Sequence, residues 1–186
     1  MNPASLSAQT ATNPLLDFGG LPRFAEFDPS QITPALDALL AEARTAIESA
    51  TTGDTPPTWE GFVDPIDTAT ERLSRAWGMV GHLNGVADNP SLRAAYNENL
   101  PRVTQFWTEL GQNRALYERY RLLRNGNSYA SLSPAQQRAI ELELTQFRLG
   151  GVELESPERE RFMEISERQA ALGQKFSENV LDATDA

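Results

Sequence analysis

The chain has 186 residues, and its 16 basic and 26 acidic side chains give a formal net charge of −10 at pH 7. Such a charge repels nucleic acids and anionic membranes, so neither is expected as a partner. The lack of cysteine excludes disulfides, thiolate metal sites and a cysteine nucleophile. Without a signal peptide or a stretch of about 20 apolar residues, a cytoplasmic protein with a single domain is the simplest interpretation.

The first part of the sequence predicts little regular structure. Residues 1–12 are small and polar, and we expect them to be a flexible N-terminus. Residues 13–29 carry Leu21, Phe24 and Phe27 among glycines and prolines. They predict an irregular arm that its aromatic side chains hold against a surface. The folded domain is therefore predicted to span residues 13–186.

Pairs of an N-cap residue and a proline predict where several helices begin. Thr33-Pro34, Asn89-Pro90, Ser133-Pro134 and Ser156-Pro157 are such pairs, and Thr58 and Asn113 are further start signals. We expect the first helix to end near Ser49.

Apolar residues follow these start signals at spacings of three and four, as one face of an amphipathic helix requires. Pro65 and Pro101 predict kinks, and Gly150-Gly151 predicts a C-cap and turn. The fold class is all-α, an antiparallel bundle of five or six helices, several of them kinked at proline. The predicted core positions are Leu36, Leu39, Leu40, Ala43, Ile47, Phe62, Ile66, Ala69, Leu73, Ala76, Trp77, Val80, Leu92, Tyr96, Leu100, Val103, Phe106, Trp107, Leu110, Leu116, Tyr117, Tyr120, Leu123, Ile140, Leu144 and Phe147.

The last predicted helix has an apolar stripe but no recognisable end. We expect the stripe to be buried, as in one arm of a helical hairpin, although Gln169 interrupts it. Asp182 and Asp185 have the wrong sign for a helix C-terminus, which favours basic residues. We therefore expect the chain to be part of a longer protein, in which case part of the stripe lacks its natural cover. The stripe comprises Phe162, Ile165, Leu172, Phe176 and Val180.

The candidate residues for chemistry are few. His82 is the only histidine, whereas a catalytic zinc needs three protein ligands. We expect His82 to pack at a helix end and to hydrogen bond to the backbone. There is no Gly-x-Ser-x-Gly elbow for a Ser-His-Asp site and no glycine-rich phosphate loop.

Carboxylates occur in pairs, as Asp64 with Asp67 and Glu141 with Glu143. On the last helix they alternate with arginines, which predicts a solvated face with helical ion pairs. We predict no catalytic, cofactor-binding or metal-binding residue in this chain. The acids and bases of that last helix are Glu158, Arg159, Glu160, Arg161, Glu164, Glu167 and Arg168.

Six short phrases occur in a characteristic order along residues 13 to 184. They are Asn13-Pro14-Leu15-Leu16, Thr58-Trp59-Glu60, His82-Leu83-Asn84, Leu92-Arg93-x-Ala95-Tyr96, Tyr120-Arg121-x-Leu123-Arg124 and Asn179-Val180-Leu181-Asp182-Ala183-Thr184. Together they resemble the N-terminal helical region of the thimet oligopeptidase family of zinc metallopeptidases, in its oligopeptidase A-like branch.

The resemblance implies a larger, two-lobed helical enzyme that hydrolyses short peptides in a deep channel. Its zinc is bound by a His-Glu-x-x-His helix and a later glutamate, and nothing in this chain matches that motif. The expected role is an N-terminal domain that walls the channel and restricts substrates, is inactive alone, and has the C-terminal catalytic domain of the same polypeptide as its partner. Two alternatives stay open. One is a stand-alone acidic interaction module, an adaptor or decayed paralogue, and the other is a hydrolase that uses His82.

Overall fold

A computed structural model describes residues 13–53 and 56–184. Residues 1–12, predicted to be a flexible terminus, and Asp185 lie outside the described residues. Within the described ranges the chain forms six α-helices and no strand, which confirms the all-α prediction. The helices are α1 Ile32–Thr51, α2 Asp64–Val86, α3 Pro90–Gly111, α4 Arg114–Asn125, α5 Pro134–Leu149 and α6 Ser156–Thr184.

The start of α1 differs from the prediction. The cap is formed earlier, where the Asp28 side chain accepts a hydrogen bond from the Ser30 amide and Pro29 opens a 3-10 turn over Pro29–Gln31. Because that turn leads directly into the helix, Ile32 is already helical. The Thr33 hydroxyl is then free to accept a hydrogen bond of 2.8 Å from the Asn99 side chain of α3.

The helical segment that contains α2 starts at Thr58 as predicted, but it opens with an irregular turn that precedes α2 itself. Thr58 caps a π-helical turn over Trp59–Val63 by accepting a hydrogen bond from the Gly61 amide. Pro65 follows directly, in the first turn of α2. A proline cannot donate a backbone hydrogen bond, and the irregularity predicted at Pro65 takes the form of this wider turn.

Three of the four remaining starts confirm the local signals, whereas Ser156 is itself the first residue of α6 and not its N-cap. Asn89, Asn113 and Ser133 cap α3, α4 and α5 through their side chains, and Ser133 forms a capping box with Gln136. Pro101 lies inside α3 as predicted.

Two groups of buried side chains form the core. The first joins α1, α2 and α3, and Leu15 and Leu16 of the N-terminal arm belong to it. The second joins the end of α1, the π-helical turn, α4 and α5. Of the predicted aromatic anchors, Phe27 packs against the first core, whereas Phe24 is 42% exposed.

Core packing was predicted for two tryptophans, and it is confirmed for Trp77, which packs against the first core, but is wrong for Trp107. Trp77 is half-buried and stacks on Tyr96, with ring centroids 4.6 Å apart. Trp107 is 37% exposed, because the neighbouring Phe106 takes the buried position of that turn. No helix in the described part of the chain is long and apolar enough to cross a membrane.

Candidate interaction surface

Helix α6 packs antiparallel on α3, and one arginine ties its C-terminal turns there. The Arg93 guanidinium on α3 donates to both carboxylate oxygens of Asp182, at 2.7 and 3.2 Å, and to Asp88 at 3.0 Å. The hydrogen bond from Arg93 lowers the pKa of Asp182. One turn earlier, the Asn97 amide donates to Glu178 at 2.8 Å. Asp182, whose charge is unfavourable at a helix C-terminus, therefore forms an ion pair with a residue of another helix.

This contact brings together two of the phrases that carried the family resemblance. Arg93 belongs to one phrase and Asp182 to another, 89 residues later. Sequence reasoning did not identify the pair. The only hint in the sequence was that the two phrases carry opposite charges. A single sequence contains many pairs of opposite charges, so this hint does not identify which residues meet.

A groove of about 690 Å3 runs between α3 and α6. It is partly open to solvent, and side chains of both charge signs line it. The α3 wall includes Asn97, Leu100 and Pro101, and the α6 wall includes Arg168, Lys175 and Asn179.

The apolar stripe of α6 is mostly uncovered. Ile165, Leu172, Phe176 and Val180 are 52%, 57%, 69% and 46% exposed, so their predicted burial is wrong for the described part of the chain. The reason is that α6 presents a different face to α3. That half-buried face comprises Arg159, Phe162, Met163, Ser166, Ala170, Gln174, Glu178 and Leu181.

The two edges of this uncovered stripe differ. Arg161, Arg168 and Lys175 lie along one edge at intervals of seven residues. Arg161 pairs with Glu164 at 2.8 Å, whereas Arg168 and Lys175 form no ion pair among the described residues. The other edge carries the small residues Gly173 and Ser177.

The carboxylate pairs noted in the sequence are arranged differently in space. Glu141 binds Arg124 and accepts a hydrogen bond of 3.1 Å from Tyr129, and the Arg124 hydrogen bond lowers its pKa. Burial raises the pKa of Glu143, and the Asp67 carboxylate on α2 adds to that effect. Glu141 and Glu143 thus have their electrostatic partners on other helices and not in each other. Asp64 and Asp67 do act as a pair within α2, because burial raises the pKa of Asp67 and the Asp64 carboxylate adds to that effect.

These acids and the histidine do not form a metal centre. His82 is exposed and lies against Phe24, with ring centroids 5.4 Å apart and no described hydrogen bond to the backbone. Over residues 13–53 and 56–184 there is no group of three or more His, Asp or Glu side chains that could hold a metal ion. The described residues therefore do not fit the zinc that the resemblance implies.

Comparison with known proteins places this arrangement in a family. The sequence model of the N-terminal domain of neurolysin and thimet oligopeptidase matches residues 36–159. Oligopeptidase A of Haemophilus influenzae is 40% identical and that of Escherichia coli 39% identical, each over 173 residues, and a probable cytosolic oligopeptidase A of Arabidopsis thaliana is 37% identical over 174 residues.

These matches cover 93 to 94% of the chain but 25% of each relative. The chain thus spans about a quarter of the length of its relatives. Identity over nearly the whole chain, together with the matching domain, confirms the family resemblance. The chain belongs to the neurolysin and thimet oligopeptidase family, in which it corresponds to the N-terminal domain of oligopeptidase A-like members.

Proposed function

We propose that the chain is the channel-forming and substrate-restricting N-terminal domain of a zinc-dependent oligopeptidase that hydrolyses short peptides. The observation that carries this proposal is the match of nearly the whole chain to a quarter of each oligopeptidase A. The partner is the C-terminal catalytic domain of the same polypeptide. The proposed location is the cytoplasm, which agrees with the name of one plant relative.

The residues of the chain support a structural role. Zinc and its ligands are proposed to belong to the other part of the polypeptide, because nothing in this chain matches the His-Glu-x-x-His motif. The helical bundle has two buried cores, which suits a rigid wall that limits access. By itself the chain is proposed to be inactive.

A chimera tests the role directly. In this chimera the chain replaces the matching region of Escherichia coli oligopeptidase A. We expect it to cleave a short quenched-fluorescent peptide in a chelator-sensitive reaction and to leave whole reduced casein largely intact. The same enzyme without the replaced region is the control, and it should lose discrimination between the two substrates. A chimera that folds but cleaves neither substrate would count against the proposal.

The isolated chain tests the inactivity. We expect it not to cleave the peptide with or without added zinc, and His82→Ala to change nothing. Peptide cleavage that depends on His82 would overturn the proposal in favour of a hydrolase. A reading frame that continues past Ala186 into a His-Glu-x-x-His helix is expected, and a stop codon there would favour the stand-alone interaction module.

A further inference from the structure

The outward face of α6 carries an exposed apolar stripe that Gln169 interrupts once. Ile165, Leu172, Phe176 and Val180 are all exposed, and at the usual rise per residue they extend about 22 Å along the helix axis. Exposed apolar surfaces of this kind mark interaction sites in soluble proteins. A partner that covers them needs an apolar stripe of matching length, which a helix of about four turns provides.

The two edges of this face restrict the partner further. The row of Arg161, Arg168 and Lys175 offers positive charge on one edge of a chain whose net charge is −10. The small, exposed residues Gly173 and Ser177 on the other edge permit close approach of a second helix. A partner helix should therefore carry acidic residues on the edge that faces the cationic row, repeated at about seven-residue intervals.

A second copy of this chain does not meet these requirements. In an antiparallel two-fold pair each cationic row faces the cationic row of the other copy, which is repulsive. In a parallel pair the cationic row faces the small residues of the other copy and gains no ion pair. The net charge of −10 also makes two copies repel each other.

We infer that the outward face of α6 docks onto an amphipathic helix with an acidic edge, supplied by the part of the polypeptide that lies outside the matched quarter of the relatives. This inference rests on the proposed function, because the helix comes from the proposed catalytic partner. It extends that function by assigning the contact between the two parts of the polypeptide to one face of α6 and to a partner helix with an acidic edge.

Lys175 provides a chemical probe, because it is the only lysine of the chain and lies in the cationic row. An amine-reactive reagent should label Lys175 readily in the isolated chain and about tenfold more slowly in the chimera, as read by mass spectrometry of the Lys175 peptide. A carbodiimide should join the Lys175 amine to a carboxylate of the partner helix through an amide bond. Lys175→Arg keeps the charge and should lose only the cross-link.

Two matched pairs of substitutions test the apolar face. Leu172→Glu with Phe176→Glu changes the docking face, and Leu122→Glu with Leu142→Glu is the control on α4 and α5. Leu122 and Leu142 are 57% and 44% exposed, so the isolated chain should fold with either pair, as circular dichroism would show. In the chimera the first pair should lower peptidase activity about tenfold or more, as for residues at an interface hot spot, while the control pair leaves it unchanged.

The outcomes separate this inference from the proposed function. An active chimera in which the Leu172 and Phe176 pair behaves like the control, or in which Lys175 is labelled as fast as in the isolated chain, overturns the docking alone. A folded but inactive chimera counts against the proposed function. Lys175 labelling does not depend on activity and still decides whether the face is covered in that case.

Discussion

Helices α1 and α6 are both amphipathic in sequence, yet the apolar stripe of α1 is buried and that of α6 is mostly exposed. In α1, 7 of 20 residues are buried, and Leu36 has no exposed surface. In α6, which is 29 residues long, no residue is buried. The apolar period of a helix thus shows that a face exists for contact. It does not show that the contact is made within the same part of the polypeptide.

Truncation of one leucine in each helix should give the largest contrast. Leu36→Ala should lower the free energy of unfolding by about 3 kcal/mol, because it leaves a cavity in the first core. Leu172→Ala should change it by less than about 0.5 kcal/mol, because that side chain is largely solvated in the isolated chain. Urea unfolding followed by circular dichroism measures both values. Similar losses for the two variants would show that α6 is covered after all.

Alanine at two glycines should give opposite and smaller changes. Gly151 has a φ of +89° and a Cβ there would lie 2.8 Å from the Leu154 side chain, so Gly151→Ala should destabilise the fold by more than about 1 kcal/mol. Gly173 has no atom within 4 Å of such a Cβ, so Gly173→Ala should stabilise α6 by about 0.5–1 kcal/mol. Thermal unfolding of both variants measures the difference. A loss on Gly173→Ala in the isolated chain would contradict an open face.

The smallest expected effect is local and depends on pH. Because Arg93 holds the pKa of Asp182 below its unfolded value, the ion pair contributes fully above that value, which is about 3.9, and its contribution is lost as pH falls through the folded pKa. Amide protection in the last turns of α6 should therefore fall a few fold in acid, while protection in α1 stays higher.

Asp182→Asn should lower that protection at neutral pH and remove its pH dependence. Glu164→Gln is the control, since Glu164 pairs only with Arg161 within the same helix among the described contacts. Amide hydrogen exchange by NMR measures protection in both variants. Unchanged protection in Asp182→Asn would mean that α6 is held by its apolar contacts with α3 alone.

Sequence reasoning succeeded where the physical cause is local. Asn89, Asn113 and Ser133 each cap a helix as predicted, because a side chain that binds amides two or three residues away is visible in the sequence itself. The start of α1 was missed by a few residues because Asp28-Pro29 and Thr33-Pro34 are equivalent signals. Only the packing of Thr33 against Asn99 decides between them.

The candidate surface was predicted less well. Helix α6 and its apolar stripe were expected, but the stripe was expected to be buried, and neither the contact with α3 nor the Arg93 ion pair was foreseen. Trp107 was misplaced for the same reason. Adjacent apolar residues such as Phe106 and Trp107 compete for one buried position, and the neighbouring helices decide which of them occupies it.

The sequence by itself determined the all-α class, most helix starts and the family, because these depend on residue spacing, on caps and on ordered phrases along the chain. Only the tertiary structure decided which face of α6 meets α3. Helix α6 has an apolar face and a second face of small, polar and apolar residues, and the second contacts α3, where Arg93 pairs with Asp182 and Asn97 with Glu178. The apolar face is consequently left open, and a row of cationic residues lies along one of its edges.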